Sequence, residues 1–321
     1  MIEPSGTGGG RILFPQVLHI GFSKCASTYL RAIFRGHPDV HLVFKSGHFT
    51  PFLANRMDFA EYQRLFRAEP GVVNVESDEH LTLPGIHPTL GVRATNLDEF
   101  AAVADGIRAE LPDVRLIMVV RNQCSLVVSR YSEYLITGGA LGFEEFADEL
   151  LGTKSGANLW FQNYYRRIIA ILEQRFPADR LLVLLQESMR ENTAATVSRI
   201  LQFMGLDDKA QTRDGLRSER RSLSYRGMQI LAGLNRLMVN RPSYGGGPPD
   251  TRVPLAVFRN VVRAVRAADY YALSRVSSGP SVLMTEARAR QILDHFREDN
   301  LALQDYFRRD LYKLGYLQQP L

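Results

Sequence analysis

The chain is short of cysteine, of lysine and of long apolar runs, and each shortage removes a class of protein. Two cysteines in 321 residues cannot build a disulfide framework, which suits a reducing compartment and a cytoplasmic location. No apolar run approaches the ~20 residues that cross a bilayer, so a protein that is not transmembrane is expected. The opening MIEPSGTGGGR is glycine-rich without the apolar segment of an export signal, so residues 1–11 read as a disordered lead-in. No Cys/His spacing matches zinc. His37 and His41 are four apart, but Pro38 breaks any helix that would align them, and no metal is expected. The formal net charge of +5 is too small to imply nucleic acid, though it suits a protein that binds an anionic small molecule. Only five of the 39 basic residues are lysine (Lys24, Lys45, Lys154, Lys209 and Lys313).

What is present is an apolar content of 45%, enough to bury a large core, spread evenly and without internal repeats. Apolar runs at Leu13–Gly21, Val72–Val75, Val114–Val120 and Leu181–Leu185 read as buried strands. Between and after them, Ser27–Arg35, Asp98–Glu110, Ser125–Tyr134, Asn158–Phe176 and Thr193–Met204 have helical spacing. Such alternation implies a parallel sheet with helices on both faces. Beyond Arg213 the strand signals fade. Arg241–Pro249 reads as a flexible connector, and Val253–Ser277 and Thr285–Leu314 read as helical. The expectation is an α/β, P-loop-like parallel sheet flanked by helices, with a helical C-terminal extension. A single domain spans 12–321, its core being 12–212 and its extension 213–321.

In such sheets ligands sit beyond the carboxyl ends of the strands. The segment GFSKCASTYL, from Gly21 to Leu30, joins the first strand to a helix N-terminus, where free N–H groups and the helix dipole favour an anion. Ser27 and Thr28 add hydroxyls and Lys24 a mobile charge. Walker A loops place lysine immediately before Ser/Thr, whereas Lys24 precedes Thr28 by four residues, which argues against an ordinary P-loop kinase. The plain alternative is a strand–helix turn with Ser27 as N-cap. A second loop follows the strand VRLIMVV. There Arg121, and Ser129 inside the next helix, offer a guanidinium fork and a hydroxyl to one anion. Cys25 and Cys124 lie in these two loops and read as two unrelated buried thiols, with a redox-sensitive pair as the alternative.

Together these segments resemble the sulfotransferases that use 3'-phosphoadenosine-5'-phosphosulfate (PAPS). GFSKCASTYL is similar to their 5'-phosphosulfate loop, with Cys25 and Ala26 where serine and glycine are common. RNQCSLVVSRYSEY is similar to their 3'-phosphate motif, with Gln123 and Leu126 as departures. The resemblance implies that Lys24 contacts the leaving oxygen and that Cys25, Ala26, Ser27, Thr28 and Tyr29 wrap the 5'-phosphate. Arg121 and Ser129 would read the 3'-phosphate. A further basic loop would add Arg220, Arg221 and Ser222. The RKG signature of cytosolic aryl and steroid enzymes is absent, so the resemblance leans to the carbohydrate (heparan-sulfate-type) and bacterial branch. In that branch a Glu after a strand resembles Glu76 in VVNVESDEHL, which would be the general base, with His80 as rival. FKSGHF would place Lys45 near sulfonate or acceptor and His48 as pocket support or a further base candidate. Asp78 and Glu79 read as surface charges. Helix, strand and FMGL from Asn158 to Leu206 and the closing FREDNLALQDYFRRDLYKLGY also follow the family, while the resemblance is weakest at Gly138–Gly156 and Pro242–Pro280, which are assigned to acceptor choice.

The expected reaction is sulfuryl transfer from PAPS to a small-molecule or glycan acceptor, leaving adenosine 3',5'-bisphosphate. Carbohydrate, lipid and secondary metabolite all stay open, and oligomeric state is not readable. A phosphotransferase using the same loop would need a magnesium-binding carboxylate after a second strand, and Arg121 stands where that residue would be useful. The other alternative is a nucleotide-binding protein without chemistry.

Overall fold

The computed structural model describes residues 14–44, 57–78, 96–151, 163–207, 222–242 and 248–318. Its centre is a five-stranded sheet in the order β2-β3-β1-β4-β5. The strands are β1 (Val17–His19), β2 (Val40–Val43), β3 (Val73–Ser77), β4 (Arg115–Val120) and β5 (Leu181–Leu185), and every neighbouring pair is parallel. All five residues of β5, and every residue of β4 except Arg115, are buried. Strands covered on both faces have no polar side to alternate, which is why these two read as unbroken apolar runs. β2, at the sheet edge, is half-buried and mixes His41 into its sequence, and the sequence reading missed it. The run beginning at Leu13 contributes only Val17–His19 as strand, whereas the run at Val72 extends through Glu76 to Ser77.

Helices α1 (Ser27–Gly36), α2 (Phe59–Gln63), α3 (Leu97–Glu110), α4 (Gln123–Ile136), α5 (Phe143–Leu151), α6 (Tyr165–Glu173), α7 (Gln186–Glu191) and α8 (Thr193–Met204) accompany the sheet. Each of α3, α4 and α8 starts at an asparagine whose side chain accepts a first-turn N–H. Gly205 closes α8 at φ 77°, a conformation that costs glycine little. The long helix expected from Asn158 begins only at Tyr165 among the described residues.

The C-terminal third is α9 (Tyr225–Met238), α10 (Leu255–Ala268), α11 (Glu286–His295) and α12 (Arg297–Phe307). The expected helix to Ser277 breaks into a π-helical turn at Asp269–Leu273, and the one to Leu314 divides at Phe296 and ends at Arg308, φ 50°. Strand structure does not fade entirely. Val239–Arg241 and Asp250–Thr251 pair as an antiparallel ribbon, β6 and β7, around the expected connector.

Leu303, Leu311, Tyr316 and Leu317 belong to the same apolar core as β1 and β4. A second apolar core lies between α4, α5, α9, α10 and α11, built on Val127, Tyr131, Phe146, Leu231, Phe258 and Ile292. Leu126 of α4 packs into the first core and Val127 into the second, so α4 is the shared wall. Gln123, at its start, and Asn300 of α12 are both fully buried. Gln123 Nε2 donates to Asn300 Oδ1 at 2.8 Å, and Asn300 Nδ2 donates to the Tyr316 carbonyl at 2.8 Å and to Gln123 Oε1 at 3.2 Å. Asn300→Ala strands Gln123 Oε1 and that carbonyl, while Gln123 Nε2 keeps only the Asn163 carbonyl, at a cost of about 2 kcal/mol or more. Urea unfolding should show that loss, and a change under about 0.5 kcal/mol would mean water replaces the amide.

Candidate functional site

β1 is flanked by β3 on one side and β4 on the other, so the strand order reverses around it. That reversal opens a crevice at the carboxyl ends, where the loops after β1 and β4 meet. In the first loop Lys24 (φ 70°) and Ala26 (φ 60°) are left-handed. Alternation of this kind turns successive N–H groups towards one side, an anion-binding concavity. Ala26, not Ser27, is the N-cap of α1, and it offers no side-chain acceptor. The first-turn N–H groups therefore have no intrahelical partner. The Ser27 hydroxyl is buried and makes no hydrogen bond. A plain turn capped by Ser27 is thus excluded, and the loop holds donors that fit an anionic group. The Cys25 N–H donates to the Phe22 carbonyl at 3.1 Å, and its side chain is buried in the core. Cys25 accordingly drops out of the expected phosphate wrap, and burial pushes its thiol up to about 12. Cys124, half-buried, is also pushed up to about 12 by burial, and both cysteines are free.

From the end of β4, Arg121 donates through Nη1 to the Lys24 carbonyl and through Nε to Ser125 Oγ, each at 2.9 Å. Tyr165 fixes it from behind, donating to the Arg121 carbonyl at 2.7 Å. Burial lowers the Arg121 guanidinium below its ordinary range, yet arginine stays charged in proteins. A partly desolvated cation of this kind favours an anionic ligand. A cavity of about 760 Å³ joins the two loops and is lined by Lys24, Ala26, Ser27, Thr28, Tyr29, Arg121 and Ser129. That volume lies within the range of small-molecule sites.

The far walls hold groups the sequence reading did not assign to the site. Glu133 lies one helical turn beyond Ser129, and its carboxylate pairs with Lys24 Nζ at 3.1 Å. The i, i+4 spacing within SRYSEY was the available signal. Gln186, Arg190 and Thr193 come from α7 and α8, and Ser274 and Ser277–Pro280 from the C-terminal third. Part of the stretch assigned to acceptor choice thus faces the same cavity as Arg121. Of the expected third loop, Ser222 lines the cavity, while Arg220 and Arg221 lie outside the described residues. So do Lys45, His48, Glu79 and His80.

At the carboxyl end of β3, Glu76 is 2% exposed and accepts a hydrogen bond from the Tyr62 hydroxyl at 2.5 Å. Glu76 is not among the residues lining the cavity. Asp78, expected on the surface, is only 1% exposed, and its N–H donates to the His19 carbonyl at 3.1 Å. His19 is fully buried, and its Nδ1 lies 2.8 Å from Ser77 Oγ. Its ring fills the space above Gly21, where a Cβ would come within 2.4 Å of Nε2. Burial first, then the nearby Arg31 charge, lowers the His19 pKa to about 3.

The model of the sulfotransferase family matches residues 15–210. Heparan sulfate glucosamine 3-O-sulfotransferase 6 of Homo sapiens is 28% identical over 209 residues, covering 63% of this chain and 56% of that protein. The Mus musculus protein of the same name is 27% identical over 209 residues, with the same coverage. The chain spans a little over half the length of these curated relatives. A crystal structure of a sulfotransferase from Alicyclobacillus acidocaldarius shares the fold at a TM-score of 0.55 and 14% identity, covering 94% of this chain and 99% of that one.

The His19 shift has a defined consequence for stability. Between its ordinary pKa of 6.5 and the native value of about 3, the unfolded chain binds a proton that the native protein does not. Stability therefore falls as pH drops below 6.5, by up to about 1.4 kcal/mol per unit from this group. Urea titrations should show any advantage over His19→Gln at pH 7 shrinking towards pH 4.5. A difference independent of pH would mean that His19 titrates in the native protein as it does in the unfolded chain.

Proposed function

The chain belongs to the sulfotransferase family, and from that premise we propose that it transfers a sulfuryl group from PAPS to an acceptor hydroxyl. The observation that carries this reading is the bond from Arg121 to the Lys24 carbonyl, which places both anion-binding loops on one cavity. The first turn of α1 with Ser27 and Thr28 would hold the 5'-phosphosulfate, and Arg121 with Ser129 the 3'-phosphate. Lys24 would exchange Glu133 for the bridging oxygen, neutralising charge as it develops there. The acceptor oxygen forms its bond to sulfur as the sulfur–bridging-oxygen bond breaks, and adenosine 3',5'-bisphosphate leaves with that electron pair. The hydroxyl proton passes to a carboxylate. Glu76 is the proposed base by its place at the carboxyl end of β3, where the Tyr62 hydroxyl fixes its carboxylate. Glu133 is the rival, because it lines the cavity beside Lys24.

The named relatives act on heparan sulfate glucosamine, and a carbohydrate acceptor is the corresponding proposal for this chain. A lipid or secondary metabolite is the alternative. A labelled-PAPS screen against these three acceptor classes distinguishes them. Calorimetry should show adenosine 3',5'-bisphosphate binding more tightly than ATP, because Arg121 and Ser129 read the 3'-phosphate. Equal or tighter binding of ATP would sink the sulfotransferase reading.

Two variants separate the carboxylates. Glu76→Gln should preserve nucleotide binding while cutting turnover at least ~100-fold. Glu133→Gln removes a negative charge from an anion site, so affinity for the bisphosphate should rise by roughly threefold or more, as expected for a part-exposed pair. Loss of turnover in Glu133→Gln, with Glu76→Gln active, would transfer the base role.

A further inference from the structure

From α9 to the turn before α11 the surface differs from that of the rest of the chain. Between Ser222 and Met284 the sequence holds eight arginines, no lysine and two aspartates, an excess larger than the formal net charge of +5 on the whole protein. One of those aspartates, Asp269, is buried and accepts the Ser224 N–H at 3.0 Å, so it does not offset the surface charge. Arg259, Arg263, Arg266 and Tyr270 follow one another at helical spacing and are exposed, while Phe258, Val262 and Val265 hold α10 to the core. Large apolar side chains are exposed along the same stretch of chain. Seven of the ten exposed among the described residues lie between Ile230 and Val282, including Leu237 (70% exposed), Tyr270 (65%), Tyr271 (67%) and Val276 (65%).

We propose that the α9–α10 face and the adjoining turn form a peripheral docking surface for an anionic lipid membrane. Arginines alone would suit any polyanion. Leucine, valine and paired tyrosines left in water would gain nothing from a hydrophilic polymer. The headgroup region of a bilayer satisfies both sets, taking apolar and aromatic groups to the acyl boundary and guanidinium groups to the phosphates. Ser274 and Ser277, in the same turn, line the cavity, so docking would bring the mouth of the site to the membrane surface. The inference does not depend on which group the cavity binds.

The test is co-sedimentation of the full chain with vesicles of phosphatidylcholine, alone or mixed with phosphatidylserine. Binding is expected only to the mixed vesicles, and it should weaken with salt. Arg259→Gln/Arg263→Gln/Arg266→Gln should reduce it on the order of 100-fold, and Arg263→Gln alone about fivefold. The single variant decides if the triple one does not fold by circular dichroism. Tyr270→Ser/Tyr271→Ser should weaken vesicle binding by about tenfold or more while leaving retention on heparin unchanged. Failure to sediment with mixed vesicles overturns the proposal. So does a response to the tyrosine pair on heparin equal to that on vesicles, which would identify a glycan track instead.

Discussion

The bond from the Arg121 guanidinium to the Lys24 carbonyl joins loops roughly 100 residues apart in sequence. It is possible only because β1 and β4 are parallel neighbours in register, His19 opposite Ile117, so both strands deliver their loops to the same end of the sheet. Arg121 is in turn held by Tyr165 and Ser125, which leaves its position little freedom. A partly buried guanidinium spent partly on a backbone carbonyl stiffens the first loop. The left-handed residues Lys24 and Ala26 can then keep N–H groups aimed at one point. That link holds the two loops that line the cavity together.

Charge balance explains the remaining arrangement. A site built to accept several negative charges carries an excess of positive ones before it is filled. Glu133, half-exposed at the cavity wall, balances Lys24. Its exposure keeps the pair weak enough to exchange, since solvent screens a part-exposed ion pair. The groups behind β1 behave differently. His19, Ser77, Asp78 and Glu76 are buried side by side at the carboxyl ends of β1 and β3, and burial keeps His19 neutral. This cluster lies against the first loop through Gly21.

The C-terminal third serves the same cavity from the opposite side. Ser224 caps α9 and is fastened to the Asp269 carboxylate, which sets the turn carrying Ser274 and Ser277 against the wall formed by Ser129 and Glu133. α4 makes this possible by packing into both apolar cores, so one helix carries Ser129 and Glu133 and also supports the helices beyond. Membership of the sulfotransferase family rests on residues 15–210. The surface features of α9 and α10 lie outside that match.

The amino-acid sequence by itself determined the alternation of buried strands and helices, the two loops and the residues Lys24, Ser27, Thr28, Arg121 and Ser129. These signals are local: an apolar strand, a turn and a helix start within one stretch of chain. The edge strand Val40–Val43, half-buried and with His41 in it, was not legible because periodicity fails where burial is partial. Only the tertiary structure decided that Cys25 turns its side chain into the core and spends its N–H on Phe22, and that Asp78 and Glu76 are buried. It alone brought Glu133 to Lys24 and set Ser274 on the same cavity as Arg121, since both depend on which elements pack against α4. Hydrogen bonds and burial between distant segments leave no trace in spacing, because nothing in a local pattern records what lies across a crevice.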